Sequence, residues 1–201
     1  MSVAVNTKKS LHKRDADLAN INKQMEVLNG EPFSNGELPS FAKKIKETNQ
    51  FPLRPKKLEI LQVNVGYMCN QVCAHCHVDA GPDRKEIMTR DTMRQILDVI
   101  KTTEAHTLDL TGGAPEMNPD FRWFVEEAAK AGIQDFIVRS NLTIIRANKK
   151  YYDLPDFFKK HNIHVVSSMP HWTKGKTDKQ RGDGVFDKSI SPSRFHDAKY
   201  F

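Results

Sequence analysis

Cysteine is the scarcest chemically active residue of this 201-residue chain: there are three, and all fall within eight positions. An odd number of clustered cysteines is a poor disulfide framework, and disulfides belong to oxidising compartments. No apolar run approaches the ~20 residues that a bilayer-spanning helix needs, which excludes a helical membrane protein. The first thirty residues lack the apolar stretch of a secretory signal, so the sequence predicts a cytoplasmic protein. A basic, acid-free stretch over residues 1–14 leaves organelle import open. Aromatic residues are 8% and charged residues 28%, a globular and slightly polar balance.

Charge is unevenly placed. Residues 1–57 hold 11 Lys/Arg against 6 Asp/Glu, while residues 58–201 hold 20 against 19. The net +6 therefore sits almost wholly in the first segment, which reads as a solvated basic extension, helical in part and disordered in part, with no nucleic-acid partner expected. Leu18, Ile21, Met25 and Leu28 recur at helical spacing, and Gly30 would end that helix.

From residue 58 the pattern alternates. Residues 58–65 are apolar at most positions, as in a strand buried on both faces. Met93, Ile96, Leu97 and Ile100 mark one helix face. A strand at 107–111 ends in Gly112-Gly113. Asn118 and Pro119 suit the N-cap and first position of a helix whose stripe is Phe121, Phe124, Val125 and Ala128, with Gly132 just past its end. Strands at 135–139 and 164–168 flank a helix over 156–161. The β-α-β-α-β-α-β order predicts an α/β fold with a parallel sheet and right-handed crossovers, either open and doubly wound or part of a TIM-like barrel. Chemistry then belongs at the C-terminal ends of the strands. The cysteines, the paired glycines, Asn141 and Ser167 all fall there.

Cys69, Cys73 and Cys76 form C-x3-C-x2-C. Thiolates are soft ligands for zinc or for an iron–sulfur cluster. His75 or His77 could complete a four-ligand zinc site, though structural zinc sites usually pair two C-x2-C elements and no second pair exists. Three cysteines on a [4Fe–4S] cluster leave one iron open to a substrate or cofactor.

This loop, placed after the first strand of a βα repeat and followed by Thr111-Gly112-Gly113-Ala114-Pro115-Glu116 after the second, resembles the radical S-adenosylmethionine superfamily. The resemblance implies a partial (β/α)6 barrel and a [4Fe–4S] cluster on Cys69, Cys73 and Cys76. It also implies S-adenosylmethionine on the open iron and an electron donor such as ferredoxin or flavodoxin. It places Gly112, Gly113 and Glu116 at the methionine end of the cofactor, Arg139 at its carboxylate, and Asn141 and Ser167 at ribose or carboxylate. The glycines are expected to let backbone groups approach the ligand closely. Arg139-Ser140-Asn141-Leu142-Thr143, Ser167-Ser168-Met169-Pro170-His171-Trp172 and Gln180-Arg181-Gly182-Asp183-Gly184-Val185-Phe186 are similar to the arsenosugar-biosynthesis radical enzymes. That likeness implies a small-molecule substrate, a methylated trivalent arsenical, and a substrate loop at Gln180-Arg181-Gly182, with His171 where many relatives carry cysteine. A radical enzyme of another substrate class, such as peptide modification or cofactor maturation, and a non-catalytic cluster- or zinc-binding remnant are the alternatives. The expected organisation is a basic extension over 1–57, a core of about four βα units over 58–190, and an unrelated tail over 191–201. Pro192 is expected to stop a helix starting near Val185.

Overall fold

The computed structural model describes residues 9–28, 41–54, 56–74 and 76–193. These divide into two compact units, Leu11–Lys57 and a larger one running from Leu58 onward with Lys9 and Ser10. The smaller unit holds two short helices, α1 (Ile21–Leu28) and α2 (Phe41–Glu47). Ile21, Met25 and Leu28 lie on one face of α1 as their spacing predicts, yet all three are exposed. Gly30 lies outside the described residues.

The larger unit is a four-stranded sheet, β1 (Ile60–Asn64), β2 (Thr107–Thr111), β3 (Asp135–Ser140) and β4 (Ile163–Ser167), in the order β1-β2-β3-β4 with every pair parallel. A doubly wound sheet would reverse its strand order partway. This order does not reverse, and it is the order of a barrel wall: the fold is α/β, a partial TIM-like barrel. The crossovers carry α3 (Arg90–Thr102), α4 (Phe121–Ala131), and the pair α5 (Ile144–Ala147) and α6 (Leu154–Lys160). Two further helices, α7 (Lys174–Arg181) and α8 (Val185–Ser193), follow β4.

One face of the sheet carries the core. Val63, Leu108, Leu110, Phe136, Val138 and Val165 are buried there with Met93 and Leu97 of α3 and Phe121, Phe124 and Val125 of α4. The i, i+3, i+4 stripes of both helices thus pack as their spacing predicts. Gly132 ends α4 at φ 116°, its N–H bonding to the carbonyls of Ala128 and Ala129, which is the left-handed stop that glycine allows.

Three local expectations are corrected. β1 is not buried on both faces: Ile60 is 54% exposed and Gln62 and Asn64 are exposed, because β1 is an edge strand and the inner face of this sheet is open beside it. Asn118 does not cap α4, whose first residue is Phe121. Its side chain instead donates to the carbonyls of Val65 and Met88, both at 3.0 Å, and accepts from the Asp120 N–H. A buried amide that joins three loops is worth more here than a cap in an exposed turn. Finally, α8 continues to Ser193 despite Pro192. A proline one residue from the end of a helix costs a bond only in its last turn. Residues 194–201 lie outside the described residues.

Candidate active site at the cysteine loop

The loop after β1 is fastened to the end of β2 by main-chain hydrogen bonds that prolong the parallel pairing. The Val65 N–H donates to Thr111 O, the Gly113 N–H to Gly66 O at 2.9 Å, and the Ala114 N–H to Met68 O at 2.9 Å. Gly112 has φ 141°, and a Cβ there would lie 2.5 Å from Gly66 O; at Gly113 it would lie 2.4 Å from Met68 O. The reason for both glycines is therefore local. The Cβ positions are filled by the backbone of the cysteine loop, not left open for a ligand as the sequence suggested. The glycines set the height of the loop that carries Cys69.

All three cysteines are free thiols. Cys69 is buried, and Cys73 and Cys76 are half-buried. The Gln71 N–H points at Cys69 Sγ at 3.4 Å, and the Ala80 N–H at Cys76 Sγ at 3.3 Å. Amide donors on sulfur favour the thiolate and tune a cluster bound to it. Burial pushes the Cys69 thiol up to about 12, and burial also raises Cys73, against the pull of the Arg181 guanidinium. Burial thus favours the neutral thiol at Cys69 and Cys73, so binding a metal centre there must release protons.

Glu116 stands in the single helical turn Pro115–Met117 that follows the glycines. It is buried, and neither carboxylate oxygen has a hydrogen-bond partner. The Ser140 hydroxyl is close enough to favour the charged form but makes no aligned bond. Burial dominates and lifts this carboxyl to about 7. Its charge is felt at Cys69. A buried acid without a donor is costly, and a cationic group beside Cys69 would remove that cost. The folded-state value lies above the unfolded value of 4.5, so its stabilising share is whole below pH 4.5 and is lost as pH rises to about 7. The difference amounts to about 3 kcal/mol at most. Thermal unfolding of the ligand-free chain from pH 4.5 to 8 should show stability falling through this window, and Glu116→Gln should flatten that fall. An unchanged slope in the variant would refute the assignment.

Asn141, at the end of β3, is buried and turned toward the loop. Its Nδ2 donates to Asn70 Oδ1 at 3.0 Å and lies 3.6 Å from Cys69 Sγ. The Thr143 hydroxyl donates to Asn141 Oδ1 at 2.6 Å and accepts from Asn70 Nδ2 and Gln71 Nε2 at 2.8 and 2.9 Å. Ser167 closes β4 opposite Ser140 and is half-buried. Arg139 leaves this group. It reaches over the inner face to the buried Asp109, Nε at 3.0 Å and Nη2 at 2.8 Å, and Gln62 donates to the same carboxylate at 2.7 Å. Its outward Nη1 has no protein partner among the described residues.

Sequence reading alone did not single out Asn70, Gln71 and Thr143 for this network. The signal for the first two was available: two amide side chains set between Cys69 and Cys73. Arg181, expected in a substrate loop, is 6% exposed and bonds to Gln71 Oε1 at 3.1 Å and to the Ser168 carbonyl. His171 turns its Nδ1 to the Thr173 N–H at 2.9 Å. His75 lies outside the described residues, and His77 is exposed.

Among the described residues, no three His, Cys, Asp or Glu side chains converge as ligands of one metal ion. His75, a candidate fourth ligand of zinc, lies outside the described residues. A cubane takes each thiolate on a different iron, and three cysteines on one loop suit it. The donor set, the amides on sulfur and the orphaned Glu116 fit a [4Fe–4S] cluster with an ammonium-bearing ligand beside it.

Comparison with known proteins agrees. The model of the Radical SAM superfamily matches residues 63–179. A probable GTP 3′,8-cyclase of Saccharolobus islandicus (strain Y.N.15.51 / Yellowstone #2) is 23% identical over 136 residues, 67% of this chain and 42% of that protein. Mycofactocin maturase MftC of Mycobacterium tuberculosis (strain CDC 1551 / Oshkosh) is 26% identical over 125 residues, 62% of this chain and 30% of that protein. The structure of Streptococcus suis SuiB bound to S-adenosylmethionine superposes with a TM-score of 0.56 at 16% identity, covering 87% of this chain and 41% of SuiB; SuiB has also been solved with its precursor peptide SuiA. The chain spans less than half the length of these relatives. Among the described residues no helix is long and apolar enough to cross a membrane. With its cysteine loop, its strand order and more than half of its length matched, the chain belongs to the radical SAM superfamily, whose members use a [4Fe–4S] cluster and S-adenosylmethionine.

Proposed function

We propose that this chain cleaves S-adenosylmethionine reductively and directs the product radical at a methylated trivalent arsenical, forming a carbon–arsenic bond, with the odd electron left on arsenic passing to a one-electron acceptor so that As(III) ends as As(V). The observation that carries the first half is the placement of three free thiols on one loop beside a buried, unpartnered Glu116, at the C-terminal end of a parallel sheet. When bound, the cluster supplies one electron to the sulfonium, giving methionine and a 5′-deoxyadenosyl radical.

Cys69, Cys73 and Cys76 would hold the cluster. Glu116 accepts the methionine ammonium, which ends its burial without a partner. Gly112 and Gly113 fix the loop height. Asn141 and Thr143 stiffen the loop from the end of β3, and Ser167 lies at the rim of β4, where ribose or carboxylate can be bound. Arg139, pinned by Asp109, presents Nη1 to a carboxylate above the open inner face.

The arsenical rests on the sequence segments at 139–143, 167–172 and 180–186. A second reading, a peptide substrate, is favoured by the likeness to SuiB over 87% of this chain. The deciding assay incubates the reconstituted chain with a strong reductant, S-adenosylmethionine and a dimethylated trivalent arsenical. An adenosylated arsenical detected by mass spectrometry is the expected product. Free 5′-deoxyadenosine alone would reject the arsenical while keeping the cleavage; neither product would reject both.

A further inference from the structure

Arg181 is the last residue of α7 and the one Lys or Arg buried among the described residues, with 6% of its surface exposed. Its Nη1 donates to the Ser168 carbonyl just past β4, and its Nη2 donates to Gln71 Oε1 at 3.1 Å. Its Nε is buried and has no partner. No carboxylate pairs with it among the described residues. Gln71 lies between Cys69 and Cys73, is itself buried, and is held from its other end by Thr143. The same Oε1 lies 3.6 Å from Cys73 Sγ. A second tie runs alongside, from the Ala74 N–H to the Gln180 carbonyl at 2.9 Å. The end of α7 is thus bonded to the cysteine loop at two points, 110 residues apart in sequence for the Arg181–Gln71 pair.

A guanidinium buried without a counter-ion is unfavourable by itself. It becomes favourable when negative charge arrives beside it. Three thiolates on a [4Fe–4S] centre bring that charge, and one-electron reduction adds one more unit. A fixed cation close to a redox centre stabilises the reduced form more than the oxidised form, because Coulomb energy scales with the charge and is little screened in the interior.

We propose that Arg181 is a positioning and charge-tuning residue of the cluster, holding the cysteine loop through Gln71 and raising the reduction potential of the group on Cys69, Cys73 and Cys76. The inference rests on the reading of these cysteines as cluster ligands. The electron comes from an external one-electron reductant, and no bond to Arg181 is made or broken.

The test reconstitutes the full chain anaerobically with iron and sulfide, as wild type, Arg181→Gln and Arg181→Lys. Glutamine keeps a hydrogen bond to Gln71 and loses the charge, whereas lysine keeps the charge and loses the planar fork. Iron content and the midpoint potential are read by redox titration followed by paramagnetic resonance. Arg181→Gln should bind iron and titrate at a more negative potential than wild type, with Arg181→Lys close to wild type. Loss of iron in the glutamine variant that lysine restores supports the same role for the charge. An unshifted potential in a fully loaded Arg181→Gln overturns the proposal. Equal loss of iron in both variants supports the positioning role and overturns the charge-tuning one, since lysine keeps the charge. A wild-type chain that takes up no iron would instead overturn the cluster reading on which this one stands.

Discussion

Cys73→Ala should fold like the wild type and fail to keep iron and sulfide after anaerobic reconstitution. Cys73 is the ligand of choice for this experiment because it is half-buried and contributes little to the core. Cys69 is 6% exposed and belongs to the apolar cluster with Val63, Val65 and Ala114, so shortening it would confound a lost ligand with a cavity. Removing Cys73 leaves two thiolates. Losing even ~3 kcal/mol of ligation weakens binding by roughly 100-fold. Iron analysis and the visible absorbance of the reconstituted protein measure that loss, and circular dichroism measures the fold. Undiminished iron in Cys73→Ala would eliminate Cys73 as a ligand and with it the cluster site. Serine at the same position tests softness: a hydroxyl of similar size should not restore binding, since iron–sulfur clusters are held by thiolates.

The parts of this architecture that repeat with a period were legible in the sequence. Met93, Leu97 and Ile100 on α3, and Phe121, Phe124, Val125 and Ala128 on α4, face the core because a helix has one apolar stripe and the sheet offers one covered face. The crossover rule turned that alternation into a parallel sheet. What failed has a common cause. β1 reads as doubly buried because residues 58–65 are apolar, but burial depends on neighbours that a strand's own residues do not encode. Asn118 reads as a cap because capping is a local rule, and the amide instead spans to Val65 and Met88 across more than twenty residues of chain. Tertiary hydrogen bonds overrode local preference at Asn118.

The site divides the same way. Cysteine spacing is local and was readable, as was the position of Glu116 after the paired glycines. The Asn70–Thr143, Asn141–Asn70 and Arg181–Gln71 bonds join residues 71 to 110 positions apart. Nothing in one sequence marks such pairs. Arg139 illustrates the difference: its position at the end of β3 suggested a carboxylate partner, and the structure supplies one from within the protein, Asp109. The arginine is thereby oriented instead of being left to find a ligand.

Gly113→Ala should be among the costliest single methyl additions to the described loops. The added carbon would sit 2.4 Å from Met68 O, 2.9 Å from Met68 C and 3.0 Å from the Ala80 Cβ. The first two neighbours are backbone and cannot swing aside. The conformation at Gly113 is not left-handed, so the penalty is contact alone. Relief requires the cysteine loop to lift from the end of β2, which breaks the bond from the Ala114 N–H to Met68 O. Overpacking of this kind costs ~1–3 kcal/mol, and a lost hydrogen bond adds ~1. For a chain of this size that sum lowers Tm by about 5–15 °C. The lifted loop also carries Cys69 away from Cys73 and Cys76, so iron retention should fall along with stability. Gly175→Ala is the control, because a methyl group there meets nothing within 4 Å and lies on α7, where alanine is the better helix former. Its Tm and iron content should equal or slightly exceed wild type. A Gly113→Ala protein as stable and as iron-loaded as Gly175→Ala would mean that the glycine pair does not set the height of the cysteine loop, and that the bonds between residues 66–68 and 113–114 are dispensable for holding the thiols in place.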